Sequence, residues 1–234
     1  MHFIIIKLKF IMATHCSNCL NRSSCFNELT LNELDKVSHN KVEISYKKGE
    51  TIIKQRSFAS HIYFIKSGWA KVTIENDSKT LIIELVGKGS MLGVTSLNHK
   101  EIYNFSVVAL NDVRVCEINT NIISTIMKNN INFSSNIMKN LNTTIDNLLK
   151  KIISLYHKKT NEKIAEMLVM LTDNIYLKRS FTITLSRKEM AEYTNVATEN
   201  LVRALKEFEA KKLITLKGKN ITILDYDSLV ALSK

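Results

Sequence analysis

The chain has 234 residues, of which 45% are hydrophobic and 24% are charged, a composition typical of a folded globular protein rather than a disordered one. The formal net charge of +11 favours an anionic partner, most commonly nucleic acid, although a solvated lysine-rich surface gives the same balance. The sequence contains no nucleophile elbow, P-loop, GxGxxG or zinc-hydrolase motif, so we do not expect an enzyme.

The first residues, 2–12 (HFIIIKLKFIM), are mostly apolar but are interrupted by two lysines. This run is shorter than the ~20 residues of a membrane-spanning helix, and it lacks the basic region and the cleavage site of a signal peptide. It is either an extra strand or partner-binding arm, or an upstream extension with Met12 as the true first residue. We therefore expect a cytoplasmic protein without membrane association, in which the thiols stay reduced.

Between residues 42 and 118, hydrophobic and polar residues alternate in short runs that are separated by turn signals. Alternation with a period of two at this spacing predicts an antiparallel β-sandwich or barrel. Five of the six glycines fall at or beside these turns, where a positive φ is often needed: Gly49, Gly68, Gly87, Gly89 and Gly93.

From about residue 121 the hydrophobic period changes to that of a helix. Six apolar residues recur at steps of four and three, the pattern of a coiled-coil seam: Ile137, Leu141, Ile145, Leu148, Ile152 and Leu155. The pattern predicts a helix of about five turns. This helix packs either against its own domain or, as we favour, against the same helix of a second copy.

A helix over residues 160–172 and a strand over 181–185 come next. Ser186 and Glu189 then form a capping box that opens a short helix, and a turn at 194–196 leads to a second helix. Two helices joined by a tight turn predict a helix-turn-helix motif.

The second helix of this motif extends to about Lys211 and is followed by two alternating strands, LITLKGKNITIL, which predict a hairpin, or wing, with a basic tip. The start of the helix is its weak point, because Ala197 is a poor N-cap. We expect Asn195 or Thr198 to cap the helix instead.

The polar face of the second helix and the wing supply candidate DNA contacts. Arg203 can donate two hydrogen bonds to guanine, and Glu199 can accept one from cytosine. The residues predicted to read bases are Glu199, Arg203, Thr198, Asn200 and Val202. Those predicted to contact phosphates, which add affinity but no sequence information, are Ser186, Arg187, Lys188, Lys206, Lys217 and Lys219. Each charge alone also suits a solvated surface, and the order of the elements is what indicates DNA binding.

Two stretches of the sequence resemble the Crp/Fnr family of bacterial transcription regulators, KKGETIIKQRSFASHIYFIKSGWAKVTI and EMAEYTNVATENLVRALKEFEAKKLITLKGKNITI. The resemblance covers almost the full length. It implies an α+β fold with an N-terminal cyclic-nucleotide-binding-like β-roll, a long dimerisation helix and a C-terminal winged helix-turn-helix. It also implies a homodimer that binds a palindromic operator in double-stranded DNA, with half-sites about one helical turn apart, and that contacts RNA polymerase.

The resemblance divides the chain into four parts. We expect a cysteine-bearing N-terminal segment (1–28), a β-roll sensor domain (29–120), a helical connector with the dimerisation helix (121–157) and a DNA-binding domain (158–234). In the family, a Glu and an Arg four residues later read the half-site, and here they are Glu199 and Arg203. The Fnr branch usually carries a Ser just before that Arg, so the Val202 of this chain predicts a different target.

The stretch GKGSMLGVTSLNHKEIYNFSVVAL matches the nucleotide site of the family's cAMP receptors. It lacks their Glu, and Tyr103, Asn104 and Phe105 stand where their phosphate-binding Arg is expected. A buried phosphate without a cation would remain unpaired at a cost of roughly several kcal/mol. We therefore do not expect cAMP to bind.

The chain has four cysteines, arranged as C-x2-C-x5-C near the start and one distant residue: Cys16, Cys19, Cys25 and Cys116. This arrangement resembles the oxygen-sensing Fnr branch, in which four thiolates hold a [4Fe–4S] cluster. The resemblance implies that these four residues are metal ligands and that the protein senses oxygen or redox state. Because the apolar stripe of the long helix is unbroken, we expect a dimer with or without the cluster.

Other sensing modes stay open at this point. A structural zinc ion would also accept four thiolates, with His15 as an adjacent possible ligand, and the thiols could instead form a disulfide switch or a site without function. A regulator of the same fold can sense haem, nitric oxide or a small metabolite in the β-roll. The candidate haem ligands for that alternative are His61, His99 and Met91.

Overall fold

The computed structural model describes residues 15–76, 79–97 and 102–234. The predictions for residues 2–12 and for His99 fall outside these ranges. The helices are α1 (Leu31–His39), α2 (Thr120–Asn129), α3 (Ile131–His157), α4 (Thr160–Met170), α5 (Arg187–Thr194), α6 (Thr198–Ala210) and α7 (Tyr226–Leu232). The strands are β1 (Lys41–Tyr46), β2 (Thr51–Ile53), β3 (His61–Ser67), β4 (Ala70–Asn76), β5 (Lys79–Val86), β6 (Met91–Leu92), β7 (Ser106–Ala109), β8 (Val113–Asn119), β9 (Ser180–Thr182), β10 (Ile214–Lys217) and β11 (Asn220–Ile223).

The first eight strands form two antiparallel four-stranded sheets, in the orders β1-β8-β3-β6 and β2-β7-β4-β5, which confirms the predicted β-roll. Successive side chains of a strand point to opposite faces, and β3 shows the consequence. Its Tyr63 and Ile65 enter the core between the two sheets, whereas Ile62 and Phe64 face the other side of the first sheet. Both faces of this sheet are therefore covered.

The N-terminal segment covers the outer face of the first sheet. Two short 3-10 turns, Cys16–Asn18 and Ser24–Glu28, precede α1, which begins with a capping box between Thr30 and Glu33. Phe26 packs on Phe64 of β3 with 4.4 Å between ring centroids, and it also stacks on an aromatic ring of α3. The segment, the sheet and the first turns of α3 thus share one hydrophobic cluster.

Helix α3 is 27 residues long, longer than the predicted five turns. Ile137 is completely buried in its own chain, so its assignment to a dimer seam is wrong, whereas Leu141 is only partly buried against the same cluster. Helix α3 carries two apolar stripes, and the predicted seam contained residues from both of them. The second stripe, which we call the exposed stripe, consists of side chains that are each more than half exposed: Met138, Ile145, Leu149, Ile152, Ile153 and Tyr156.

The C-terminal part packs four helices around a three-stranded sheet of order β10-β11-β9, with a common hydrophobic core. The predicted strand at 181–185 is shorter than expected. Its last residues leave the sheet because the Thr184 amide donates to the Tyr176 hydroxyl at 2.8 Å instead of to a strand. Helix α4 continues into a π-helical turn, Leu171–Tyr176.

The two parts of the chain are in contact. Trp69 and Leu85, from β-roll residues next to β4 and in β5, pack against the core of the C-terminal part. The Lys71 ammonium group lies 2.8 Å from the Glu189 carboxylate of α5. Within residues 15–76, 79–97 and 102–234, none of the helices combines the length and hydrophobicity that crossing a membrane requires.

Candidate DNA interface and thiol site

Helix α5 begins as the sequence predicts. The Ser186 hydroxyl accepts from the Glu189 amide at 3.2 Å, and the Glu189 carboxylate accepts from the Ser186 amide at 2.7 Å. The helix ends at Asn195, whose φ of 52° is left-handed, a conformation that asparagine tolerates better than most residues. The tight turn between α5 and α6 depends on this residue.

Helix α6 buries Leu201, Leu205 and Phe208, the regular stripe of an amphipathic helix. Ala197 occupies the N-cap position, and no side chain caps the helix there. The expectation that Asn195 or Thr198 would cap it is wrong, because Asn195 ends α5 and Thr198 is already the first residue of α6.

The outer face of α6 forms a shallow surface groove, lined by Thr198, Glu199, Val202, Arg203 and Lys206. Asn200 does not line the groove. Its side-chain oxygen accepts from the guanidinium of Arg203 at 3.0 Å, so it orients a predicted base-reading residue. Four of the five predicted base readers therefore share one face, and the fifth supports it.

The predicted phosphate contacts differ in exposure. Lys188, Lys217 and Lys219 are exposed, the latter two flanking Gly218 at the tip of the wing, where φ is 63°. Arg187 is half-buried, and its guanidinium donates to the Met190 sulfur at 3.3 Å. Burial lowers the pKa of Arg187, but the guanidinium stays charged, so it is the lower exposure that makes this side chain less available to a phosphate than the lysines.

The four cysteines carry free thiols and lie near one another on the outer face of the first sheet. Cys16, Cys25 and Cys116 are buried in the same hydrophobic cluster. Cys16, Cys19 and Cys116 line one cavity of about 20 Å³. Cys25 does not line it, and its sulfur lies 3.2 Å from the Ser23 hydroxyl.

Two buried lysines, which the sequence analysis missed, line the same cavity. The Glu43 carboxylate lies 3.0 Å from the Lys41 ammonium group and 2.6 Å from that of Lys66, and the three side chains are 10%, 1% and 7% exposed. Lys41 and Lys66, which we call the lysine pair, therefore place two ammonium groups at the wall of this cavity. Nearby positive charges favour the ionised form of an acidic group, so the cavity favours an anionic occupant.

Burial raises the pKa of the Cys116 thiol to about 12, although the ammonium groups of the lysine pair act in the opposite direction. Burial also raises the pKa of Cys25, against a weaker effect of Ser23. Both thiols are therefore neutral near pH 7. A bound metal would displace their protons, because thiolates are the ligating form.

These side chains have the chemistry of iron–sulfur or zinc ligands, but they are not positioned around a single metal ion. Four soft thiols beside the two ammonium groups of the lysine pair suit an anionic metal–thiolate centre. However, in the described part of the chain no three His, Cys, Asp or Glu side chains are arranged around one metal position. A cavity of about 20 Å³ holds roughly one water molecule, so a cubane requires the N-terminal segment to move.

The position of the expected phosphate-binding Arg is occupied by the buried ring of Tyr103. Its hydroxyl donates to the His61 carbonyl at 2.6 Å, and Gly93, at φ 89°, lies against the ring. A Cβ on Gly93 would come within 3.2 Å of Tyr103, so the aromatic ring fills this place closely. The other candidate haem ligand in the described residues, Met91, packs beside the thiol cluster.

Two family profiles match the sequence. The cyclic nucleotide-binding domain matches residues 43–130, and the Crp-like helix-turn-helix domain matches residues 162–232. The "Fumarate and nitrate reduction regulatory protein" of Vibrio cholerae is 26% identical, over 94% of this chain and 91% of the relative. The "Transcriptional activator protein anr" of Pseudomonas aeruginosa is 25% identical, over 97% and 96%.

Solved structures show the same fold. A putative transcriptional regulator of the Crp/Fnr family from Eubacterium rectale superposes with a TM-score of 0.76 at 21% identity, covering 90% of this chain and 97% of that one. FixK2 from Bradyrhizobium japonicum gives a TM-score of 0.75 at 17% identity, covering 83% and 98%.

The fold, the exposed face of α6 and these similarities define a transcription regulator that binds DNA through a winged helix-turn-helix. The chain belongs to the Crp/Fnr family, and the named relatives are regulators of its Fnr-like branch.

Proposed function

We propose that this regulator senses oxygen or redox state through a [4Fe–4S] cluster held by Cys16, Cys19, Cys25 and Cys116. The observation that carries the proposal is the position of the four cysteines, each of which belongs to the shared hydrophobic cluster or lines the cavity beside the lysine pair. The names of its relatives, which include an "Anaerobic regulatory protein" of Haemophilus influenzae, agree with it. When bound, the cluster would supply oxygen-sensitive, thiolate-ligated iron.

The chain's own residues connect this site to α3. Phe133 and Ile137 of α3 are fully buried in the cluster that also contains Cys16, Cys25 and Cys116. A packed core transmits small displacements, so a change in the position of the N-terminal segment would shift these two residues. Because α3 leads directly into α4, this contact is our candidate route from the thiol site to the DNA-binding domain.

We further propose that the protein acts as a cytoplasmic homodimer on a palindromic operator, together with RNA polymerase. The exposed stripe of α3 supports the dimer, because contiguous exposed apolar surface marks an association site. We expect the residues of this stripe to replace Ile137 in the seam, with Leu141, Ile145, Leu148, Ile152 and Leu155 kept as predicted contacts.

Zinc or a thiol–disulfide switch is the second candidate for the thiol site. The size of the cavity favours it, since a single zinc ion needs less space than a four-iron cubane. Zinc also takes four thiolates, so the positive charge of the lysine pair suits both kinds of metal centre.

The test is purification without oxygen, followed by assays of iron, acid-labile sulfide and zinc. We expect about four irons and four sulfides per chain with a broad visible absorbance. The variant Cys116→Ser should lose them, whereas Ser38→Ala, a change of similar size beside Cys16, should keep them. Stoichiometric zinc, or a colourless protein without metal, would reject the cluster and leave the DNA-binding function untouched.

A further inference from the structure

A second cavity, of about 430 Å³, lies where three parts of the chain meet. Its walls come from β5 and its surroundings, from α3 and from the DNA-binding domain. The volume falls in the range of small-molecule sites, and such sites occur preferentially between domains. We call it the junction cavity, and it is lined by Trp69, Glu84, Lys88, Asn147, Lys150, Lys151, Ser154, Glu166, Asn174 and Tyr193, among others.

The junction cavity is distinct from the sites already described. On α3 it uses Asn147, Lys150, Lys151 and Ser154, whose spacing of three, one and three places them on one face. At 100° per residue this face lies opposite the exposed stripe, so a second copy bound there leaves the cavity open. Of the stretch that matches the phosphate contacts of the family's cAMP receptors, the described residues 93–97 and 102–105 do not line it.

The charges around the junction cavity do not balance. Three lysines face two carboxylates, and one of these, Glu166, is engaged by the Lys158 ammonium group at 2.7 Å and by the Ser154 hydroxyl. Glu84 has no hydrogen bond or ion pair with any described residue, and burial raises its pKa. Glu84 is partly exposed, so its carboxyl group is open to a hydrogen-bond donor on a ligand.

Lys151 is the most constrained of the three lysines. Its ammonium group donates to the Tyr193 carbonyl at 2.5 Å and lies 3.3 Å from the centroid of the Tyr193 ring. An ammonium group has three donors, so two remain for a ligand. Burial lowers the pKa of Lys151 to about 8, partly offset by Glu166, and an anion in the cavity would raise this pKa again.

We propose that the junction cavity binds a small organic anion that carries a hydroxyl or amine group. Its anionic group is held by Lys150 and Lys151, its donor faces Glu84, and its carbon skeleton packs on Trp69. Such a ligand would contact the sensor strands, α3 and the DNA-binding domain at once, and would fix their relative positions. This is a second input, separate from the thiol site.

Trp69 allows a direct test, because it is the single tryptophan of the chain and lines the cavity. The probes are succinate and L-malate, two dicarboxylates that differ by one hydroxyl group. We expect both to change the Trp69 fluorescence, with dissociation constants on the order of 1 mM. L-Malate should bind roughly tenfold tighter, because its hydroxyl group gives Glu84 a partner.

Three variants separate the parts of the proposal. Glu84→Met should remove the preference for L-malate, and Lys150→Met should weaken both probes roughly three- to tenfold. Lys139→Met removes the same charge from α3 outside the cavity and should bind like the parent. The proposal fails if neither probe changes the fluorescence, or if Lys139→Met and Lys150→Met lose affinity equally.

Discussion

At the scale of single residues, Arg203 and Lys206 lie on the same face of α6 and have different expected roles. Arg203→Ala should cost about 1–3 kcal/mol of binding to the operator and relax specificity at one base pair, because a bidentate contact to guanine is lost. The measurement is fluorescence anisotropy on a duplex selected from random sequences and on single-base variants of it.

Lys206→Ala provides the matched control for Arg203→Ala. A phosphate contact carries no sequence information, so this variant should weaken all duplexes alike and reduce the salt slope by about one. Equal loss on selected and scrambled duplexes for Arg203→Ala would instead make Arg203 a phosphate contact.

We expect Lys66 to affect the metal affinity of the thiol site but not to be needed for folding. Lys66→Met leaves Glu43 paired with Lys41, so the chain should fold, but one of the two positive charges beside the thiols is gone. We expect roughly 10–100-fold weaker metal binding, the usual effect of residues just outside the ligands. Zinc affinity of the metal-free protein, measured by competition with a chelator, gives the value, and Lys66→Arg should restore it.

The sequence predicts some of these functional residues and not others. The outer face of α6 follows from helical spacing alone, because all of its members belong to one element. The pairing of Glu43 with Lys66 joins β1 and β3, which are separated in the sheet by β8 and by a register shift near Ile65. No local pattern encodes such a contact.

At the scale of the element, the uncapped start of α6 is a site for stabilisation. Ala197 already has the extended backbone of an N-cap, with φ −65° and ψ 144°. Ala197→Thr should stabilise the fold by about 1 kcal/mol, because the hydroxyl group accepts from a free amide in the first turn. Urea unfolding measures the change, and Ala197→Val, which has the same shape without the oxygen, should give no gain.

The exposed stripe of α3 makes a prediction about assembly. Ile152, which is 60% exposed, lies in its centre, and Ile152→Glu should give monomers because a charge buried between two helices lacks a partner. Gel filtration with light scattering measures the molecular mass of the assembly. Phe58→Glu adds the same charge at a residue that is 79% exposed on the β-roll and should stay dimeric. A dimer of Ile152→Glu would exclude this stripe.

For helix α3, the hydrophobic periodicity predicts the helix but not the surface that each apolar residue contacts. Steps of four and three predicted its existence, but positions such as 137 and 145 fall on different sides once the partner surfaces are known. An apolar side chain suits an internal core and a second copy equally well. Only the packing of the N-terminal segment on Phe133 and Ile137 separates the two faces.

At the scale of the whole molecule, the pair of Lys71 and Glu189 ties the β-roll to α5. Burial alone would raise the pKa of Glu189, but Lys71 and the Ser186 amide together hold it below its usual value. The stabilisation is therefore complete above the unfolded-chain pKa of about 4.3 and is lost as the pH falls through the lower value of the folded state.

Lys71→Met should lower the free energy of unfolding by about 1–2 kcal/mol near neutral pH, because Glu189 then lacks its partner. Its difference from the parent should shrink in acid, as Glu189 becomes protonated in both proteins. Lys47→Met breaks an exposed pair with Asp112 and should have little effect at either pH. A Lys71→Met deficit that stays constant into acid would contradict the pairing.

The order of the strand-rich and helical regions follows from the sequence, because the hydrophobic period changes near residue 120. Their docking does not. In the sequence Trp69 and Leu85 look like ordinary strand residues. Only the structure, in which α5 lies against β5, shows that they pack against the core of the C-terminal part.

This docking also has a bearing on how the protein is made. The chain is synthesised from its N-terminus, so β4 and β5 are complete before α5 and α6 have been translated. Trp69 and Leu85 are then already part of a folded sheet. The core of the DNA-binding domain packs against them when that domain folds. The β-roll is in this sense a template on which the C-terminal domain completes its folding.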